Sequence, residues 1–154
     1  MTNEPTAKAS GAETRGTFEP KSWEAAETMF KAVGPTAQTV VREIARAMAF
    51  DREEYGERVT SEVVETARQA LFAETLAVKV ADRETFESWR SECSGEVHVA
   101  GSDTVGRVAW HVSPTGEAVA ATFENEPDAA VGTVRRMAFN RLYRDRLLGA
   151  ERDE

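Results

Sequence analysis

Apolar residues recur at helical spacing from residue 22 and switch to alternation near residue 76, so the chain reads as helices followed by a sheet. In "EPKSWEAAETMFKAVGP", Ser22 suits a helix cap, and Trp23, Ala26, Phe30 and Val33 share one helical face. Gly34 suits the left-handed position that ends a helix and Pro35 the first turn of another. Together they predict a tight connection into a second helix, "PTAQTVVREIARAMAF". There Ala37, Val41, Ile44 and Met48 form the core-facing stripe, with Val40 beside it. After the polar "DREEYGER", a third helix begins at Thr60 or Ser61, with Val64, Ala67, Leu71 and Val63 buried. Each helix has one apolar face, so the three must pack on one another or on the C-terminal half of the chain.

The period then becomes two. "LAVKVA" alternates Leu76, Val78 and Val80 with Ala77, Lys79 and Ala81, the pattern of a half-buried strand. Asp82 caps a short helix whose apolar line is Phe86, Trp89 and Cys93. Three strand-like runs come next, "EVHVA", "VGRVAWHV" and "EAVAATF", separated by "GSDT" and "SPTG". A long last helix starts near Asn125 or Pro127 and ends near Leu148. It carries two apolar lines, Val131-Val134-Ala138-Leu142 and Phe139-Tyr143-Leu147, one for the core and one for the first helices or a partner chain. The polar residues 1–16 read as a disordered tail, 17–148 as a single α+β domain, and 149–154 as a disordered end. The expected architecture is three N-terminal helices, a small four-stranded mixed sheet containing an antiparallel three-strand meander, and a C-terminal helix packed on it.

The stretch "VHVAGSDTVGRVAWHV" contains both histidines of the chain, His98 and His111. A two-residue turn at Ser102 and Asp103 sets Val97 opposite Val108, and His98 opposite Arg107. Val97, Val99, Val108, Trp110 and Val112 then form one apolar face, and His98, Arg107 and His111 lie on the other. His98, Arg107 and His111 are the candidate site. In this pairing the histidines sit several residues apart and read as surface or interface residues. The competing reading is a metal or catalytic role, which needs a third ligand, with Glu96 or Cys93 nearest. Cys93 reads more simply as a small buried hydrophobe. No metal and no cofactor is expected. The second hairpin has two solutions. These are a three-residue loop with a glycine bulge and a two-residue Pro-Thr loop, and the choice decides whether Val119, Ala121 and Phe123 join the Trp110 face or the His98 face.

Charge narrows the classes. Net charge is −8, with 4 lysines among 19 basic residues and 21 glutamates among 27 acidic ones. Such a chain is poorly suited to nucleic acid or to an anionic membrane. The last helix is the exception. Its five arginines against Asp128 and Asp145 give +3, and −11 for the remainder. Those arginines read as stems over apolar surface paired with the glutamate-rich helices, against an RNA-binding alternative. One cysteine makes no internal disulfide, and no apolar run reaches the length of a membrane span. A cytoplasmic chain is therefore expected. No metalloprotease, hydrolase, phosphate-loop or dinucleotide motif occurs.

"GPTAQTVVREIARAMAFDREEYGERVTSEVVETARQALFA", "VHVAGSDTVGRVAWH" and "ATFENEPDAAVGTVRRMAFNRLYRD" resemble a small family of uncharacterised proteins from halophilic archaea. The likeness spans about residues 16–146. It implies a cytoplasmic protein of a high-salt organism and carries no assigned activity, so it transfers no site residue. The function that fits best is a non-enzymatic interaction or regulatory module that binds a protein partner or self-associates. The alternative is a small enzyme or metal-binding protein using the histidine-bearing face.

Overall fold

The computed structural model describes the backbone of residues 11–152 and the side chains of 11–149. It is an α+β protein with a five-stranded mixed sheet. The strands are β1 (Glu13–Arg15), β2 (Val78–Asp82), β3 (Val97–Ala100), β4 (Arg107–Val112) and β5 (Ala118–Phe123). The helices are α1 (Trp23–Ala47), α2 (Arg52–Arg58), α3 (Ser61–Thr75), α4 (Arg83–Ser91), α5 (Pro127–Ala138) and α6 (Arg144–Arg152), with a π-helical turn over Phe139–Tyr143 joining the last two.

Three helices do precede β2, but not the three expected. The first two merge into α1, which spans about 37 Å at 1.5 Å per residue. Pro35 lies inside it. Proline cannot donate to the carbonyl of Lys31, and this costs one hydrogen bond. The apolar period decides the outcome, because Trp23, Ala26, Phe30, Val33, Ala37, Val41 and Ile44 continue across Gly34-Pro35 without a phase break. α1 ends at Ala47, and past its cap Met48 the chain turns at Ala49, whose φ of 58° is left-handed. The polar "DREEYGER" segment, expected as a connector, forms α2 with a capping box between Asp51 and Glu54. All its residues lie outside the core.

The tail expectation reaches too far. Residues 1–10 lie outside the described residues, but Glu13–Arg15 forms the edge strand β1, pairing antiparallel with β2. Arg15 forms an ion pair with Asp128 in the first turn of α5. At the other end, helix α6 includes residues 149–152, which were expected to be disordered.

The sheet order is β1-β2-β4-β5-β3, and this overturns the three-strand meander. β3 does not pair with β4. It lies at the edge, parallel to β5, while β4 is antiparallel to both β2 and β5. β5 is apolar on both faces, as a central strand must be, whereas β3 has a partly exposed His98 and an exposed Val99. Two glycines make this arrangement possible. A Cβ on Gly95 would sit 2.3 Å from the Gly116 carbonyl oxygen, and one on Gly101, at φ +110°, would sit 2.0 Å from Thr122 Oγ1. They let both ends of β3 press onto β5. "GSDT" is accordingly part of a wider connection across the sheet end, which Arg83 secures by donating to the carbonyls of Val105 (2.8 Å) and Ser102 (2.9 Å).

β4 and β5 form a hairpin, and of its two open solutions the glycine-bulge loop is the one found: Ser113 N–H donates to the Glu117 carbonyl, and Gly116 has φ +91°. His111 faces Val119, so Val119, Ala121 and Phe123 join the histidine face. Both faces of the sheet are therefore apolar and covered. One face carries Val78, Val80, Ala109, Val119 and Ala121 against α1, α3 and the C-terminal helices. Both apolar lines of the last helix enter this core. The other face carries Val108, Trp110 and Ala120 under Phe86 and Trp89 of α4.

Candidate functional site

The candidate residues share one face by strand parity, as expected, but the sheet distributes them differently. His111 pairs with Val119, and Val119 pairs with His98. The two histidines therefore stand in one cross-strand row, two strands and about 10 Å apart. Arg107 is separate. It lies at the opposite end of β4, exposed, with its guanidinium 5.0 Å from the Phe123 ring centroid.

His111 is 1% exposed. Its Nδ1 lies 2.7 Å from the Ala77 carbonyl oxygen and its Nε2 lies 2.7 Å from Tyr143 Oη. A carbonyl only accepts, so Nδ1 carries the proton, and Nε2 accepts from the tyrosine hydroxyl. Burial pushes the His111 pKa below its ordinary value, and the hydrogen bond to Ala77 only partly offsets this. Burial likewise raises the Tyr143 hydroxyl above its ordinary value. Tyr143 reaches His111 from the π-helical turn, in which Arg144 N–H bonds the Phe139 carbonyl. His111 is thus a neutral residue that fastens β2 and the last helix to β4. This corrects the expectation of a surface or interface histidine.

His98 is half-buried, at the open edge of the same row. Its Nε2 lies 2.6 Å from Glu117 Oε2, and Arg141 Nη1 lies 3.1 Å from its Nδ1. Arginine only donates, so Nδ1 accepts and Nε2–H donates to Glu117. Glu96 Oε2 is 3.9 Å from Nδ1. Glu96, His98 and Glu117 each offer a ligand atom within 4.8 Å of the others, the one such cluster among the described residues. Cys93 is elsewhere, its thiol directed at the carbonyls of Gly95 and Gly116.

Glu117, Arg141 and Tyr143 were missed as site residues. Glu117 becomes a neighbour of His98 only through the parallel β3–β5 pairing, and the assumed hairpin placed Arg107 there instead. The arginines of the last helix mostly behave as expected. Arg135 donates to the Leu76 carbonyl at 3.0 Å and pairs with Glu74 of α3. Arg146 pairs with Glu27 of α1 over the Trp23 ring.

A second feature lies on α1. Its apolar face is buried through Ala26, Phe30 and Ala37. Past Pro35 the face divides: Val41 and Ala45 remain buried, while Val40, Ile44 and Met48 are 37%, 55% and 60% exposed. Ile44 and Met48 were expected on the core-facing stripe, and the structure leaves them in water. Tyr55 of α2 and Val63 of α3 are exposed as well, against the expectation that Val63 is buried. Among the described residues, nothing covers this stripe.

Together these features define an α+β protein of two covered sheet faces with an uncovered helical stripe and a small carboxylate–histidine cluster. The chain belongs to DUF5809, a family of unknown function, whose model matches residues 17–144. No curated protein and no solved structure matches it. No helix among the described residues is long and apolar enough to cross a membrane.

Proposed function

We propose that this protein is a non-enzymatic interaction module that works as a homodimer, in the salt-rich cytoplasm of a halophilic archaeon. The exposed stripe Val40-Ile44-Met48 carries the reading. These residues form an i, i+4 ridge, the element that packs one helix into the groove of another. A contiguous apolar ridge of this kind on a surface marks an interface.

In this reading a second copy is the occupant, because a two-fold axis packs the apolar ridge against the same ridge of the partner. The net charge of −8 per chain opposes association at long range, and salt relieves this because the screening length falls from about 10 Å at 0.1 M to about 3 Å at 1 M. The high-salt setting rests on the glutamate-rich, lysine-poor composition and the family likeness.

Sedimentation equilibrium of wild type and Ile44→Glu from 0.1 to 3 M KCl tests the reading. Wild type should become dimeric as salt rises and Ile44→Glu should remain monomeric. A wild type that is monomeric throughout, or a variant that associates equally well, contradicts it.

A further inference from the structure

We propose that Glu96, His98 and Glu117 form a binding site for a divalent transition-metal ion of the zinc type. The site is independent of the stripe on α1. Its backbone is fixed before any ion arrives. The parallel pairing sets His98 beside Val119, the Glu96 carbonyl accepts from Ala118 N–H at 2.9 Å, and Gly95 lies against Gly116. Glu96, His98 and Glu117 thus meet at one end of the β3–β5 pair, each offering one donor atom within 4.8 Å of the others. The donor set is one imidazole nitrogen and two carboxylate oxygens. Imidazole favours zinc and its transition-metal neighbours over magnesium and calcium, and three protein ligands leave a fourth tetrahedral position to water.

Arg141 defines how the site loads. Its guanidinium donates to His98 Nδ1 at 3.1 Å, which holds the ring proton on Nε2, facing Glu117. An ion on Nδ1, the nitrogen 3.9 Å from Glu96 Oε2, takes the lone pair that now accepts from Arg141. An ion on Nε2, beside Glu117, sends the ring proton to Nδ1, which then no longer accepts from the guanidinium. In both cases the guanidinium must turn away. Arg141 is therefore an internal cation that competes with the ion.

The test is titration of the full chain with Zn²⁺ by calorimetry and with Co²⁺ by visible absorption, each in the presence of excess Mg²⁺. Wild type should bind one ion per chain, with the absorption of a four-coordinate cobalt–nitrogen/oxygen site. His98→Gln should lose at least about tenfold in affinity and lose that spectrum, Glu117→Gln should weaken binding, and Arg141→Gln should tighten it several-fold. Circular dichroism confirms that each variant is folded; Arg141→Gln requires no loss of packing, because that side chain is outside the core. Equal binding by wild type and His98→Gln would assign the ion to scattered surface carboxylates and overturn the proposal. Absence of binding by wild type, or weaker binding by Arg141→Gln, would also overturn it.

Discussion

The two halves of α1 carry the same kind of side chain, and the second leaves part of its apolar face in water. Before Pro35, Ala26 and Phe30 are at most 1% exposed, packed against Phe72, Phe139 and the C-terminal helices. After it, Ile44 and Met48 are more than half exposed. The difference is not hydrophobicity or helical phase. It is whether another element lies opposite. α3 and the last helix cover the first half, while α2, with no buried residue, leaves the ridge of the second half open. An amphipathic pattern thus specifies which face wants cover, and the tertiary arrangement decides whether the chain supplies it. In the body of the molecule His111 meets its polar needs internally, with two hydrogen bonds at 1% exposure. The distal half of α1 leaves an apolar ridge to water.

The sharpest way to break this contrast is a pair of truncations on the one helix. Phe30→Ala should cost about 3–5 kcal/mol, since a fully buried ring is lost from an aromatic cluster with Phe72 and Phe139. Ile44→Ala, measured on dilute monomer in low salt, should change stability by less than about 0.5 kcal/mol. Urea unfolding followed by tryptophan fluorescence reads both. Comparable losses at the two positions would mean that the distal half is covered after all.

His111 supplies the next largest effect. Replacing it with Gln should destabilise by about 2–4 kcal/mol, because Tyr143 Oη and the Ala77 carbonyl are left imperfectly satisfied in the core. His98→Gln, at the open edge, should cost less than about 1 kcal/mol.

The pH dependence has a definite sign. The folded-state pKa of His111 lies below its ordinary value of 6.5, so the unfolded chain takes up the proton first. Its contribution is complete above pH 6.5 and is lost as pH falls below it, by up to about 1.4 kcal/mol per pH unit. Chemical denaturation between pH 7.5 and 5.5 should show a steeper loss in wild type than in His111→Gln. Equal slopes would show that His111 is protonated within the fold.

Much of the fold was legible in the sequence. The α+β order, the caps at Ser22 and Asp82, the start of α3 at Thr60 or Ser61, the apolar face of Val108 and Trp110, and the shared side of His98 and His111 all come from local signals, period and parity. Local breakers misled at Gly34-Pro35, where an unbroken apolar period outweighed two residues that each end helices elsewhere. Strand order was not legible, because alternation fixes which face a residue occupies and says nothing about its neighbouring strand. The signal that could have helped is in β5: "AVAATF" has no polar face, so it belongs in the interior of a sheet, and the short β3 with its histidine belongs at the edge. That placement brings Glu117 to His98. The close approach of Gly95 to Gly116 is a three-dimensional fact with no one-dimensional trace. The fate of Ile44 was equally hidden, since a stripe that faces a core and a stripe that faces a partner have the same spacing.

The homodimer is tested most directly at its axis. A two-fold through Ile44 places that residue against the partner's own Ile44, where closely crossing helices bring Cα atoms within disulfide range. Ile44→Cys in a Cys93→Ser background, oxidised gently in 2 M KCl at micromolar concentration, should yield a covalent dimer. Arg42→Cys in the same background, on the far side of α1, should remain monomeric. Monomers from Ile44→Cys, or equal cross-linking from both positions, would contradict the two-fold.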